Sequence, residues 1–253
     1  MTGVAASEVT SLGCHTDLWL PRAGHFSRFA VAEGFDTRFA PLRQAGDCLG
    51  LIRQEFAERT GLAPDIRVFC GIHDSNAAYL GHIIDHYGTV PTVISSGTWV
   101  VIMARNADTA RMIAERDHLA NVDAYGGLVP TARFMGGREY EAIAGSDAPA
   151  PSSAALETII ADGMLALPSF SGSGGPFRSH KGALRCSRTL SAVERSTLAT
   201  LYVALVTDRC LSDLGVAGDI VIEGPLARNG LFGPILAALR KDQRILLADG
   251  EVA

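Results

Sequence analysis

Val68-Phe69-Cys70-Gly71-Ile72-His73-Asp74-Ser75-Asn76-Ala77-Ala78 and, further on, Thr92-Val93-Ile94-Ser95-Ser96-Gly97-Thr98-Trp99 decide how this chain is read. In the first stretch an apolar, β-branched run ends in a glycine, and a carboxylate then opens a segment of helical composition. In the second, another apolar run enters a Ser-Gly-Thr turn. One element offers a base. The other offers backbone N–H groups and a hydroxyl to an anion, a pairing that suits phosphoryl transfer to a hydroxyl group.

Working outward, 66–70 reads as a strand and 74–86 as a helix, while 89–103 reads as a strand, a turn and a second strand, a β-hairpin. Upstream, 1–45 is irregular but too rich in Leu18, Trp19, Phe26, Phe29, Phe35 and Phe39 for a disordered tail, so it is expected as loops packed on a body. A helix is expected from Asp47, with Leu49, Ile52 and Phe56 on one face and Gly61 as its stop. Downstream, 146–155 reads as a surface loop. The clearest helix is 192–214: Ser191 and Glu194 form a capping box, Leu198, Leu201, Tyr202, Leu205 and Val206 form a stripe, and Gly215 ends it. The tail, strand 220–223, helix 229–240 and strand 244–247, is a βαβ unit, which favours a parallel sheet covered by helices. The fold class expected is α/β.

Composition narrows the function. The 253 residues carry a net charge of −5 and are 47% hydrophobic. That balance sets up no field for nucleic acid or an anionic membrane, so neither is expected as a partner. No apolar run approaches the ~20 residues that cross a bilayer. The first ten residues lack the pattern of a signal peptide. Five scattered cysteines without Cys-x-x-Cys spacing fit reduced thiols, and a cytoplasmic location is expected.

Each candidate site residue has a plain structural alternative. Asp74 stands where a strand meets a helix N-terminus, the ligand edge of an open α/β sheet. It is either a general base or an N-cap worth about 1 kcal/mol. Gly97 and Thr98 either receive a phosphate or only close a hairpin. Residues 224–229, Gly-Pro-Leu-Ala-Arg-Asn, either shape a flat nucleotide pocket or connect strand to helix with Asn229 as cap. The 172–176 segment, Gly-Ser-Gly-Gly-Pro, fits neither phosphate-loop template and reads as a flexible turn. His82 and His86 lie one helical turn apart but lack the glutamate of a zinc protease motif, so a solvated face is expected and no metal ligand is assigned. The basic run from Arg178 to Arg188 reads as a solvated loop.

Taken in order, these segments resemble the FGGY family of carbohydrate kinases, within the actin-like ATPase superfamily. The His73-Asp74-Ser75 form is closest to the family's rhamnulokinase-like, deoxyketose-phosphorylating members. The resemblance runs from about Ser11 to Leu247. It implies ribonuclease H-like domains with a sugar and MgATP in the cleft between them, residues 1–87 being the end of a first, sugar-binding domain and 88–253 most of a second, nucleotide-binding one. It implies Asp74 as catalytic base, His73, Ser75 and Arg133 as sugar contacts, and Gly97, Thr98, Gly224, Pro225 and Asn229 as ATP-binding residues. Where the family usually has a second glycine this chain has Pro225, which keeps the carbonyl but loses an N–H. The activity implied is ATP-dependent phosphorylation of a sugar hydroxyl, on a ketose, with a homo-oligomer compatible with it. The family's opening glycine-rich phosphate hairpin has no counterpart here. The chain is therefore expected to be a piece of an enzyme, truncated at both ends and weakly active alone, with a non-catalytic sugar- or nucleotide-binding remnant as the alternative.

Overall fold

The structure, a computed structural model, describes residues 1–85 and 90–248, apart from the side chains of Cys14 and His15. It divides into two compact units, one of residues 1–85 with 120–129, the other of the remainder.

The first unit is built from short pieces. Cys48–Leu51 pairs antiparallel with Arg67–Phe69, Ser7–Glu8 pairs parallel with Leu42–Arg43, and Trp19–Leu20 pairs antiparallel with His25–Phe26. The aromatic residues of the irregular opening pack on one another: the Trp19 and Phe26 rings meet edge-on at 5.3 Å, and Phe26 lies 5.4 Å from Phe39. The helix expected from Asp47 begins only at Gln54 and runs as Gln54–Thr60, stopped by Gly61 in the left-handed conformation. Residues 48–51 belong to a strand because a partner strand is available to take their backbone groups, which local periodicity does not reveal. The helix opened by the carboxylate spans Asp74–Asp85; its expected last residue, His86, lies outside the described residues.

A six-stranded sheet has the order Ile245–Leu247, Ile220–Glu223, Thr92–Ser96, Val100–Met103, Leu128–Phe134, His118–Val122, its first four strands lying wholly in the second unit. The first three strands run parallel, whereas Thr92–Ser96 and Val100–Met103, and then Val100–Met103 and Leu128–Phe134, are antiparallel. The parallel pairing favoured by the tail holds for these three strands, and the expected hairpin adds the antiparallel ones. The βαβ unit is real, but the hairpin places antiparallel strands on its other side. Thr89, expected to start the hairpin, lies outside the described residues, as do residues 249–253.

The long helix Ala192–Leu214 is the keel of this unit, with both halves of the capping box formed. Tyr202, Val203, Val206, Cys210, Leu211 and Leu214 pack with Ile94, Ile102, Phe134, Ile220, Ile222 and Phe232 in one core. Leu205, expected on the apolar stripe, is instead exposed. The buried face also carries hydroxyls. Thr197 donates to the Val193 carbonyl at 2.7 Å and Thr200 to the Ser196 carbonyl at 2.9 Å, so these polar groups enter the core already satisfied. Two further expectations change. The loop at 146–155 gives way to a helix, Ser153–Ala161, with the Ser152 hydroxyl accepting from the Ala155 amide. The last helix starts at Phe232, not Asn229, with Leu231 as its N-cap after a 3-10 turn over Pro225–Arg228. Among the described residues no helix is long and apolar enough to cross a membrane.

The capping box has a pH signature. Arg188 donates to Glu194 at 3.1 Å, the Ser191 amide donates to it at 2.8 Å, and its pKa is held down to about 2, mainly by the arginine and then by the cap. A depressed carboxylate stabilises the fold above its unfolded pKa, and that contribution fades as pH falls towards the folded value. Glu194→Ala is therefore expected to lower Tm at pH 7, and the gap from the parent should close between about pH 5 and pH 2 in thermal melts.

Candidate functional site

In the second unit, residues far apart in sequence line one cleft of about 390 Å³. Its walls are Ser96, Gly97 and Val100 from the hairpin, Gly136, Gly137 and Tyr140 from the Gly136–Ala144 helix, Ala150 and Pro151, and Pro225, Leu226, Arg228, Asn229 and Gly230 after the Ile220–Glu223 strand. The size is ordinary for a small-molecule site.

Backbone packing creates this cleft. An added Cβ at Gly137 would stand 2.2 Å from the Gly97 carbonyl oxygen, and the Gly137 amide donates to the Thr98 carbonyl at 3.2 Å. On the other side Gly224 has φ +76 and ψ −158, a region essentially closed to side chains, and its Cβ would lie 2.1 Å from the Ser96 carbonyl oxygen. The Ser96 hydroxyl joins the two neighbouring strands, donating to the Glu223 carbonyl at 2.5 Å and accepting from the Leu226 amide at 3.0 Å. Main chain therefore meets main chain across the cleft floor.

The expected residues fall as follows. Gly97, Pro225 and Asn229 line the cleft, and Gly224 forms the bend beneath Pro225. The Gly97 amide is spent on the Trp99 carbonyl at 2.8 Å, while Thr98, whose side chain is exposed, is not among the residues that line the cleft. Asn229 also bonds the main chain ahead of the last helix. Its Oδ1 accepts from the Leu231 and Phe232 amides, both at 3.1 Å, and its Nδ2 donates to the Thr200 hydroxyl at 3.0 Å. The cap expected of it falls instead to Leu231, because residues 225–228 form a 3-10 turn that Asn229 ends. Arg133 is not a cleft residue: its Nε donates to Asp117 at 3.1 Å and its guanidinium lies 5.1 Å from the Trp99 ring centre.

In the first unit, Asp74 is the first residue of its helix, with a side chain 83% exposed. Its Oδ1 accepts from the Ser75 amide at 2.7 Å and sits 3.0 Å from His73 Nε2. The other ring nitrogen of His73 lies 3.1 Å from Asn76 Oδ1. His73 therefore stands between two side chains of the helix that follows it, and the position of the ring is fixed. Its amide donates to the buried Thr10 hydroxyl at 3.1 Å, which ties the carboxylate's segment to the Val9–His15 helix.

Sequence reasoning missed Gly137, Tyr140, Ala150 and Pro151. The pair of glycines opening a helix, where glycine is unfavourable, was a usable signal for close backbone approach. Burial pushes the Tyr140 phenol up, so it stays protonated as a neutral cleft wall. Behind that wall Glu139 is buried and accepts from the hydroxyls of Ser169 at 2.9 Å, Ser171 at 2.6 Å, and Tyr202. The Tyr202 phenol is pushed far up by burial and by that carboxylate. Among the described residues no group of histidine, cysteine or carboxylate side chains could hold a metal ion.

Comparison with known proteins agrees with this architecture. Residues 89–252 match the family described as carbohydrate kinase FGGY, C-terminal domain. The chain is 39% identical over 70 residues to an L-fuculokinase of Haemophilus influenzae, covering 28% of this chain and 14% of that protein. It is 28% identical over 131 residues to the L-fuculokinase of Escherichia coli K12, covering 51% and 27%. A solved carbohydrate kinase from Novosphingobium aromaticivorans superposes with a TM-score of 0.89 at 40% identity, over 99% of this chain and 56% of that one. A glycerol kinase from Plasmodium falciparum, solved with ADP, has a TM-score of 0.69 at 16% identity, over 99% and 53%, and shares the fold. The chain thus spans about half the length of the solved proteins it matches. With its ribonuclease H-like, actin-like ATPase fold, this chain belongs to the FGGY family of carbohydrate kinases.

Proposed function

We propose that the chain serves ATP-dependent phosphorylation of a sugar hydroxyl, with a ketose of the deoxyhexulose class as acceptor. The observation that carries this reading is the convergence of Gly97 with Pro225 and Asn229 on one cleft whose floor is bare backbone. The kinship with L-fuculokinases supports the acceptor class. The cleft's volume and its glycine-lined floor suit a flat, phosphate-bearing ligand. Mg²⁺ would be carried in on the phosphates, since that ion keeps several waters and needs few protein ligands. A cytoplasmic location belongs to the same proposal, and the net charge of −5 suits a small-molecule partner rather than nucleic acid.

In this proposal MgATP, when bound, supplies the electrophilic terminal phosphoryl group and charge neutralisation for its transfer. Pro225 and Asn229 cradle the adenine above the Gly224 bend. Thr98 offers its hydroxyl to phosphate oxygens, and Gly97 keeps the approach open, since an added Cβ there would meet nothing within 4 Å. Asp74 accepts the proton of the acceptor hydroxyl as that oxygen bonds to phosphorus and ADP leaves. His73 holds the carboxylate in place, and His73, Ser75 and Arg133 contact the sugar. An exposed carboxylate at a helix N-terminus suits a base, because the helix dipole favours negative charge there.

Three outcomes test this. MgATP at about a hundred times its Kd should stabilise the chain by roughly 2.7 kcal/mol, read as a rise in Tm. Gly137→Ala should abolish that rise, because its Cβ would occupy the space of the Gly97 carbonyl; an undiminished rise would remove the cleft as the nucleotide site. In an ADP-release assay with 6-deoxyketohexoses, Asp74→Asn should keep sugar binding and lose ~10²-fold or more in kcat. An active Asp74→Asn protein refutes the base. Thr98→Ala should raise the KM for MgATP more than that for sugar. MgATP binding with no ADP release from any ketose would instead favour a nucleotide-binding protein without catalysis.

A further inference from the structure

Asp117 is the one non-glycine residue with a positive φ, +61, among the described residues. A conformation of this kind at a polar residue asks for a reason. Both of its carboxylate oxygens are engaged. Oδ1 accepts from Arg133 Nε at 3.1 Å, and Oδ2 accepts from the Gly175 amide at 3.1 Å. Arg133 in turn lies over the Trp99 ring, 5.1 Å from its centre. The segment held by Gly175 also reaches that ring, since a Cβ on Gly174 would stand 3.0 Å from Trp99 Cζ3 and 3.1 Å from Asp117 Oδ2. The glycine-rich 172–176 segment, which reads in the sequence as a flexible turn, is therefore anchored.

Trp99 is the third residue of the loop between Ser96 and Val100, and its carbonyl takes the Gly97 amide. A displaced ring would carry its own backbone with it, and so the turn. From these contacts we propose that Asp117 is a positioning residue for the 97–98 turn: it holds the Arg133 guanidinium over Trp99 and the 174–175 main chain beside that ring, and so steadies the turn whose Gly97 lines the cleft. The inference rests on the nucleotide reading above. A carboxylate is the side chain for this task, because one group must accept simultaneously from a guanidinium and a main-chain amide. The left-handed backbone is that of a C-cap, Asp117 ending the Ala114–Arg116 3-10 turn with its amide on the Ala114 carbonyl.

The test uses Asp117→Gly, which tolerates the φ of +61 and removes only the side chain, together with Asp117→Asn, which keeps one acceptor oxygen. Acrylamide quenching of tryptophan fluorescence reads the hold on Trp99 without any ligand, Trp19 contributing the same background in parent and variants. MgADP titration reads the consequence. Asp117→Gly should increase quenching and weaken MgADP about tenfold, with Asp117→Asn intermediate in both. Unchanged quenching in Asp117→Gly would overturn that hold. Increased quenching with unchanged MgADP affinity would overturn the positioning role. Increased quenching in a protein whose parent binds no MgADP would overturn the nucleotide reading itself, and the positioning role with it, while leaving the hold on Trp99 standing.

Discussion

The close passage of the Ser96-Gly97 main chain between Gly137 and Gly224 is the constraint on which the second unit's geometry depends. Two peptide segments approach a third at distances that leave no room for a single methyl group. Such contacts are possible only without side chains, and they must be held by something other than apolar packing. The Ser96 hydroxyl supplies part of the hold, joining its own strand to the Glu223 carbonyl and the Leu226 amide. The Gly137 amide on the Thr98 carbonyl supplies the rest. Behind them the Ala192–Leu214 helix fixes the strands through its Tyr202–Leu214 face, so the cleft floor is rigid because its supports are buried.

Asn229 shows how a structural and a ligand-facing assignment can coexist in one residue. The structural reading and the pocket reading compete in the sequence, yet its Oδ1 accepts from the Leu231 and Phe232 amides at the entry to a helix while the residue lines the cleft. The same economy holds at Asp74, which opens a helix, engages its own neighbours and still presents most of its carboxylate to solvent. Residues that end or begin elements sit where backbone groups are unsatisfied, and those are the places where a fold can offer hydrogen bonds outward.

Much of the fold could be read in the chain wherever one local rule dominated. The capping box at Ser191 and Glu194, the apolar run 92–96 and the strand 220–223 all declare themselves, because caps and β-branched runs act over a few residues. What stayed hidden was decided at long range. Cys48–Leu51 is a strand because Arg67–Phe69 lies beside it, against a helical-looking spacing of Leu49, Ile52 and Phe56. Gly137 matters because of Gly97, forty positions earlier, and Asp117 because of Arg133 and Gly175. At the cleft, the residues with recognisable motifs were legible, while Tyr140, Ala150 and Pro151 were not, since nothing local distinguishes a wall residue from its neighbours.

A floor made of peptide groups cannot be remodelled by exchanging side chains. Any drift in which ligand the hollow accepts must then arise at its rim, through Tyr140, Ala150, Pro151 and Arg228. Evolution, and an engineer, would find selectivity adjustable there at small expense in stability, while every change to Gly137 or Gly224 beneath would strike the scaffold before it reached the ligand.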